Sequence, residues 1–259
     1  MSRLRIAFFD IDGTLIDIER KRPTPKALET LRRLRENGIR ICLATGRAPM
    51  EVPKFEGVTF DAYLTYNGSY CYTAEGTPIF SNPLPKADVR TLIRNATALG
   101  RPISLATKDR LCSNGKDQDL IDYYAIPGLE VSVDADFDEV AEGEVFQLLM
   151  GCREADYPAI LKDTTNTKVA AWWDRAADLI PANGGKGIAI AHLLAYYGLT
   201  REEAIAFGDG RNDIEMLDAV GTGVVMGNAL DEVKAHADAI CPGVTEDGVY
   251  HYCLEHGLI

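Results

Sequence analysis

Two acidic segments of this 259-residue sequence follow directly after short apolar runs. Asp10 and Asp12 follow the run Ile-Ala-Phe-Phe, and Asp209 and Asp213 follow the run Ala-Ile-Ala-Phe-Gly. Carboxylate oxygens are the ligands that Mg²⁺ prefers, and four carboxylates held close together would repel one another without a cation between them. The sequence therefore predicts a magnesium site, on the condition that the fold brings the two segments together.

Other polar groups occupy comparable positions. Thr45 and Gly46 follow the run Ile-Cys-Leu-Ala, and Lys186 follows a glycine pair where a helix is predicted to begin. Each has an ordinary structural explanation, because Asp and Gly are frequent turn residues, Asn67-Gly68 is a common turn dipeptide and a lysine at a helix start is usually solvated. Their occurrence in one chain, in this order, favours a shared site over unrelated turns.

The elements that must position these residues alternate between strand and helix. A helix is predicted to begin after Thr24, a capping residue followed by Pro25, and to end at Gly38. Alternating strands and helices indicate a doubly wound α/β fold with a mostly parallel sheet, in which the strand carboxyl ends share one edge. That edge would join the acidic segments. The predicted strands are 5–9, 39–44, 62–65, 204–207, 223–226 and 239–240, and a second helix is predicted at 187–197.

The middle of the chain does not alternate between strands and helices in this way. We expect it to form an α+β cap domain inserted into the sheet domain, and the turn-rich joints at both ends fit a cap that moves. The predicted division is a core of residues 1–83 and 183–259 with a cap of residues 84–182. The elements predicted in the cap are helices 86–99 and 154–163 and strands 144–151 and 167–174.

The composition limits the partners and the compartment. The net charge of −12, from 27 basic and 39 acidic residues, argues against nucleic acid as the main partner, because binding to its backbone needs clustered Lys and Arg. The six cysteines form no Cys-x-x-Cys pair, and free thiols are expected. No apolar run is long enough for a signal core or a membrane span. We expect a cytoplasmic protein without a membrane partner, as a monomer or small homo-oligomer.

The ordered motifs resemble those of the haloacid dehalogenase superfamily, in particular its Cof-type (class IIB, C2-capped) phosphatases. The resemblance covers both halves of the predicted core, whereas the cap matches in position and size only. It implies a Rossmann-like core and a magnesium-dependent phosphatase that works through an aspartyl-phosphate. The motifs are FFDIDGTL (8–15), LATGR (43–47), YNG (66–68), GGKGIAI (184–190), FGDGRNDIEML (207–217) and MGNA (226–229).

The resemblance implies catalytic roles for four side chains. Asp10 would be the nucleophile, since a carboxylate can attack phosphorus and so split one hard displacement into two easier ones. Asp12 would be the general acid toward the leaving alkoxide and then the general base toward water. Thr45 would donate its hydroxyl hydrogen to a phosphoryl oxygen. Lys186 would neutralise charge on Asp10 and on the transferring group.

The resemblance also implies the binding contacts. The metal ligands would be Asp10, Asp12 (through its carbonyl), Asp209 and Asp213. The substrate would contact Gly46, Asn67, Gly68 and Asn212. For Arg47 we expect a structural ion pair rather than a phosphate contact. Trp172 and Trp173 should face opposite sides of a strand, one in the cap interior and one toward the substrate. Cationic candidates for substrate contacts in the cap are Lys108, Arg110, Lys168 and Arg175.

The predicted function is the hydrolysis of small phosphorylated metabolites, with sugar phosphates first among them. Two alternatives stay open at this point. A phosphotransferase or phosphomutase would use the same strand-end residues, and fold analogy does not separate it from a phosphatase. A non-catalytic regulator that binds phosphosugars is the second alternative, but Asp12 would have little purpose in such a protein.

Overall fold

Two β-sheets, one of eight strands and one of five, organise residues 4–259, which are the residues that the computed structural model describes, apart from the side chain of Trp172. The strands are β1 (Ile6–Phe9), β2 (Arg40–Ala44), β3 (Ala62–Thr65), β4 (Tyr70–Thr73), β5 (Pro78–Ser81), β6 (Ser104–Ala106), β7 (Leu111–Ser113), β8 (Gln147–Gly151), β9 (Thr167–Trp173), β10 (Ala176–Pro181), β11 (Ala204–Gly208), β12 (Thr222–Met226) and β13 (Ala239–Cys241). The α-helices are α1 (Pro25–Glu36), α2 (Lys86–Ala98), α3 (Gln118–Ala125), α4 (Phe137–Val140), α5 (Tyr157–Ile160), α6 (Lys186–Tyr197), α7 (Ile214–Asp218), α8 (Asp231–Lys234) and α9 (Gly248–Glu255).

The eight-stranded sheet has the order β13-β12-β11-β1-β2-β3-β4-β5. The six strands from β13 to β3 are parallel, and β4 and β5 extend the sheet as antiparallel strands. β1 lies in the interior of the sheet between β2 and β11, with Phe9 opposite Leu43 on one side and Phe207 on the other. The predicted doubly wound, mostly parallel sheet is confirmed.

Both faces of this sheet are covered by helices, which is why its interior strand β1 is apolar and buried along its whole length. In β1, Ala7 and Phe9 pack on the side of α1 and α9, whereas Ile6 and Phe8 pack on the side of α6 and α7. α1 begins as the sequence predicts, because the Thr24 hydroxyl accepts a hydrogen bond from the Ala27 N–H at 3.1 Å.

The five-stranded sheet has the order β7-β6-β8-β10-β9 and is antiparallel throughout. Its apolar face packs with α2 and α5 around a second core that includes Leu92, Leu148 and Ile160. We call residues 84–182 the cap and the remainder the core; the position of these two boundaries stays a prediction.

Several predicted elements differ from the observed ones. The helix predicted at 154–163 is a 3₁₀ turn (Glu154–Asp156) followed by the single turn α5, and Asp163 beyond it has a left-handed φ of 62° that no helix accommodates. The strand predicted from residue 144 begins only at Gln147. Among the described residues, no helix is both long and apolar enough to cross a bilayer. All six cysteines are buried free thiols.

Candidate active site

Three neighbouring strands of the core sheet end in polar residues at the same edge. Asp10 follows β1, Thr45 follows β2 and Asp209 follows β11, and these strands are hydrogen-bonded neighbours. The predicted meeting of segments from the two ends of the chain is therefore present in the structure.

Three carboxylates meet at this edge. One carboxylate oxygen from each of Asp10, Asp209 and Asp213 lies within 4.8 Å of the other two. The Lys186 ammonium donates hydrogen bonds of 2.6 Å to Oδ1 of Asp10 and to Oδ1 of Asp213. Lys186 is only 1% exposed and Asp213 is fully buried, so solvent screens this contact very little.

Three carboxylates face a single ammonium in this cluster, so their negative charge is only partly compensated. Burial raises the pKa of Asp10 well above its ordinary value and Asp213 and Asp209 add to the rise, whereas Lys186 opposes it. Burial, followed by Asp213, raises the pKa of Asp209 to about 7. For Lys186, burial favours the neutral form, but the two carboxylates outweigh it and raise the pKa, so the ammonium stays charged. Three hard oxygen donors facing one ammonium fit a divalent cation such as Mg²⁺.

Asp209 is held in place by two residues that the sequence analysis gave no role. The Thr14 hydroxyl donates to Oδ1 of Asp209 at 2.9 Å. The Asn228 amide donates to Oδ2 of Asp209 at 3.2 Å and to the Gly13 carbonyl at 3.0 Å. A Cβ on Gly13 would lie 2.1 Å from Oδ2 of Asp209, so only glycine fits there. Thr14 lies within the motif FFDIDGTL and Asn228 within MGNA, so the motifs already indicated that both residues lie near the site.

Asp213 uses both of its carboxylate oxygens within the protein. Oδ1 accepts from Lys186, and Oδ2 accepts the backbone N–H groups of Asp209 at 3.0 Å and Gly210 at 2.9 Å. Asp213 therefore fixes the loop that carries Asp209 and also orients Lys186.

Asp12 lies on the other side of Asp10 and is paired with Arg47. The guanidinium donates from Nε to Oδ2 at 2.8 Å and from Nη2 to Oδ1 at 2.6 Å. The structural ion pair expected for Arg47 is confirmed, and its partner is the predicted acid/base. Arg47 is anchored in turn by the Glu51 carbonyl, which accepts from Nη1 at 3.1 Å. The Asp12 carboxylate is not part of the three-carboxylate cluster.

The four residues predicted to contact substrate lie together beside Thr45. The Asn212 amide donates to Oδ1 of Asn67 at 2.9 Å. Gly68 has a φ of +89°, and a Cβ there would lie 2.7 Å from the Gly185 carbonyl. Asn67 is buried, and its amide nitrogen points to two cap residues instead of into open space. Contact of Gly46, Asn67, Gly68 and Asn212 with substrate stays a prediction.

A cleft lies between the core site and part of the cap. Its core wall is polar and includes Asp10, Asp12, Thr45 and Arg47. The cap wall is aromatic and apolar, and consists of Tyr123, Tyr124, Ile126, Pro127, Leu149 and Trp173. Trp173 thus faces the cleft as expected for one of the two tryptophans, whereas the side chain of Trp172 lies outside the described residues.

The two tyrosines of the cap wall present their rings to the cleft, because their hydroxyls are bonded elsewhere. The Tyr123 hydroxyl donates to Oδ1 of Asp178 at 2.6 Å, and the Tyr124 hydroxyl donates to the Ser104 hydroxyl at 2.8 Å. The rings of Tyr123 and Trp173 are nearly parallel, with centroids 6.2 Å apart.

None of the four cationic cap residues named as candidates for substrate contact lines this cleft. Each is engaged elsewhere: Arg110 with Asp136, Arg175 with Asp119 and Asp122, Lys168 with Glu215, and Lys108 over the Tyr70 ring. Of the four, Lys168 lines a second cleft, on the Lys186 side of the site.

The family model of the haloacid dehalogenase-like hydrolases matches residues 7–253. The chain belongs to this family. YkrA of Bacillus subtilis, itself only provisionally assigned as a phosphatase, is 31% identical over 257 residues and 98% of each chain. The 5-amino-6-(5-phospho-D-ribitylamino)uracil phosphatase YitU of the same organism is 30% identical over 262 residues and 95% of each chain.

Solved structures agree with the sequence comparison. The HAD subclass IIB sugar phosphatase BT4131 superimposes with a TM-score of 0.91 at 28% identity, over 98% of this chain and all of that one. Taken together, these similarities identify the chain as a Cof-type phosphatase, a hydrolase of phosphoric monoesters.

Proposed function

We propose that this haloacid dehalogenase-like phosphatase hydrolyses small phosphomonoesters with the help of Mg²⁺ and through an aspartyl-phosphate on Asp10. The observation that carries the proposal is the cluster at the strand ends. Asp10 shares it with two further carboxylates, and the Lys186 ammonium lies 2.6 Å from its Oδ1.

The first half-reaction follows from the contacts of Asp10. Since Lys186 holds Oδ1, Oδ2 is the oxygen that attacks phosphorus. The bond between phosphorus and the ester oxygen breaks, and Asp12 gives its proton to the leaving alkoxide. Asp10, Asp209, Asp213 and the Asp12 carbonyl would hold Mg²⁺, which would neutralise charge on the phosphoryl group and orient it.

The second half-reaction reverses the role of Asp12. A water molecule attacks the phosphorus of the aspartyl-phosphate, and Asp12 accepts its proton. The acyl-phosphate bond breaks, inorganic phosphate leaves, and the Asp10 carboxylate is regenerated. In the ionised form, the two hydrogen bonds from Arg47 hold the Asp12 carboxylate at the cleft.

The leaving group must fit the cap wall. Sugar phosphates are the first class that we propose, and BT4131 is named a sugar phosphatase. The wall of aromatic and apolar side chains also favours a leaving group with a flat, weakly polar ring, because a buried hydroxyl without a partner costs about 1–3 kcal/mol. A phosphate-release screen that compares hexose phosphates with pyridoxal 5′-phosphate and flavin mononucleotide would rank the two classes.

The test of the proposal is an assay with p-nitrophenyl phosphate in MgCl₂. We expect turnover in the wild type, loss of turnover in EDTA and recovery when Mg²⁺ is returned. Asp10→Asn should abolish turnover and leave the thermal unfolding transition in place; substantial remaining activity would refute the mechanism. Transfer of the phosphoryl group to an added sugar would indicate the phosphotransferase instead, and phosphosugar binding without any turnover would indicate a regulator.

The remaining expectations stay predictions. A cytoplasmic location is consistent with six buried free thiols, and we also propose a monomer or small homo-oligomer without nucleic-acid or membrane partners.

A further inference from the structure

Two buried polar side chains of the cap reach the core beside the expected phosphate site. Gln147 on β8 and Asp178 on β10 are each 1% exposed. The Gln147 amide donates to the Gly46 carbonyl at 3.2 Å. The Asn67 amide nitrogen donates to Oδ2 of Asp178 and to Oε1 of Gln147, both at 3.0 Å. The cap therefore holds two core loops, the one after β2 and the one after β3.

The core is shaped to accept these two side chains. A Cβ on Gly46 would lie only 3.2 Å from Oδ2 of Asp178 and 3.2 Å from the Asn67 amide nitrogen, so the absence of a side chain lets the cap carboxylate approach. Tyr66, Asn67 and Gly68 have φ values of 52°, 51° and 89° in succession. A left-handed run with two non-glycine residues needs support from its surroundings, and the cap supplies part of that support.

The loop held by the cap is coupled to the rest of the site. Oδ1 of Asn67 accepts from Asn212, which lies one residue before Asp213. Gly68 packs against the Gly185 carbonyl, directly before Lys186. A shift of Asn67 would therefore also move Asn212, next to Asp213, and the Gly185 carbonyl, next to Lys186.

We propose that Gln147 and Asp178 are positioning residues through which the closed cap fixes the phosphate-binding loops around Gly46 and Asn67. The phosphate site is then complete only while the cap lies on the core. This inference rests on the proposed function, because it assigns these loops to phosphate. It differs from a role in leaving-group choice, since a residue that aligns the phosphate affects every substrate equally.

The energetics of Asp178 support the geometry. Burial raises its pKa to about 7, and the hydrogen bonds from Tyr123 and Asn67 oppose that rise. The hydrogen bond from Asn67 is thus one of two that offset the cost of burying the charged Asp178 carboxylate. Asp88 is an equally buried cap carboxylate, but its partners lie in residues 165–167 of the cap itself. Asp88 therefore provides a matched control.

The test compares four variants with the wild type. Asp178→Ala removes the contact with Asn67. Gln147→Met removes the contacts with Gly46 and Asn67 at nearly constant volume, so it is informative even where the first variant does not fold. Asp178→Asn can still accept from Asn67 and can donate to the Tyr123 hydroxyl. Asp88→Ala breaks a cap contact that does not reach the core.

The measurements are kcat and KM for p-nitrophenyl phosphate and a hexose phosphate, and the Kd of inorganic phosphate by calorimetry in MgCl₂. For Asp178→Ala and Gln147→Met we expect kcat/KM to fall about 10- to 100-fold with both substrates, and phosphate binding to weaken. Asp178→Asn should stay within about threefold of wild type. Asp88→Ala should lower Tm but leave KM and the phosphate Kd unchanged.

Two results would overturn the inference. One is an unchanged KM and phosphate Kd in both Asp178→Ala and Gln147→Met. The other is a loss confined to one of the two substrates, which would make these residues specificity determinants. A wild type without phosphatase activity would refute the proposed function instead, and the calorimetric comparison would still decide whether the cap residues shape the phosphate site.

Discussion

Beside the site, the core and the cap both bury carboxylates, but they stabilise them differently. In the core, Asp10 and Asp213 share the charged ammonium of Lys186. In the cap, the hydrogen-bond donors on Asp178 among the described residues are neutral, the Tyr123 hydroxyl and the Asn67 amide. The core arrangement concentrates charge where a phosphoryl group and a cation can interact with it. The arrangement at Asp178 carries less charge, and we have proposed that it aligns the phosphate-binding loops.

The two walls of the cleft repeat this contrast. The core wall presents carboxylates, a hydroxyl and a guanidinium, whereas the cap wall presents rings and aliphatic groups. Changes on the core side should therefore alter the chemical step, and changes on the cap side should alter which substrate fits or how well the phosphate is aligned.

The largest effect on turnover is expected from Lys186→Met. Removal of the ammonium leaves two buried carboxylates without their partner, and we expect kcat to fall about 10³-fold. Tm should fall as well, and MgCl₂ should recover part of it because the cation binds the native state. Steady-state kinetics and thermal unfolding with and without MgCl₂ check this. Lys86→Met, which changes an exposed cap lysine, is the control. A kcat of Lys186→Met within about tenfold of the wild-type value would show that turnover does not depend on the ammonium charge. That result would contradict this difference between the core and the cap.

Arg47→Lys should have the next largest effect, and the effect should depend on the leaving group. A lysine cannot form the two parallel hydrogen bonds that hold Asp12, so proton delivery becomes less efficient. We expect kcat/KM to fall about 10-fold for an alkyl phosphate and less for p-nitrophenyl phosphate, whose leaving group needs no proton. An equal loss with both substrates would contradict the assignment of Asp12 as the general acid.

Trp173→Ala should change selectivity and leave phosphate binding intact. Its ring faces the cleft beside Tyr123, so truncation should lower kcat/KM for ring-bearing phosphomonoesters about 10-fold. The phosphate Kd should not change, and Trp173→Phe should restore most of the loss. A weaker phosphate Kd in Trp173→Ala would show that the cap wall also aligns the phosphate.

The smallest effect on turnover is expected from Asp178→Asn, whose effect on stability should depend on pH. Burial raises the pKa of Asp178 to about 7. Between pH ~4 and ~7 the unfolded chain releases this proton first, so the wild type loses stability as pH rises, by at most about 4 kcal/mol. The amide variant escapes this loss. The difference in the free energy of unfolding between the two proteins should grow from pH ~4 to pH ~7 and then stay constant. A pH-independent difference would contradict the raised pKa.

The sequence predicted that the strand ends of the core meet, because local patterns and one general rule were enough for that. The runs before Asp10, Thr45 and Asp209 read as buried strands, and parallel strands place their carboxyl ends at one edge. The antiparallel β4 and β5 were missed, because their aromatic and polar residues lack the uniform apolar pattern of the other core strands.

The cap contacts could not be predicted in the same way. Gln147 and Asp178 are isolated polar residues in apolar strands, and their common partner Asn67 lies 80 and 111 residues away in sequence. Asn67 itself reads as a turn residue. The ion pairs of the cationic cap residues were equally hidden, since charge alone does not reveal that Arg175, for example, is paired with Asp119.

The six buried thiols are divided between the core and the cap. Cys112 and Cys152 lie in the cap, and the other four cysteines lie in the core. Burial raises the pKa of Cys112 and Cys152 to about 11, so each reacts with an alkylating reagent only when its surroundings open. The rates of thiol labelling, followed peptide by peptide in the mass spectrometer, would therefore report the local unfolding of the cap separately from that of the core.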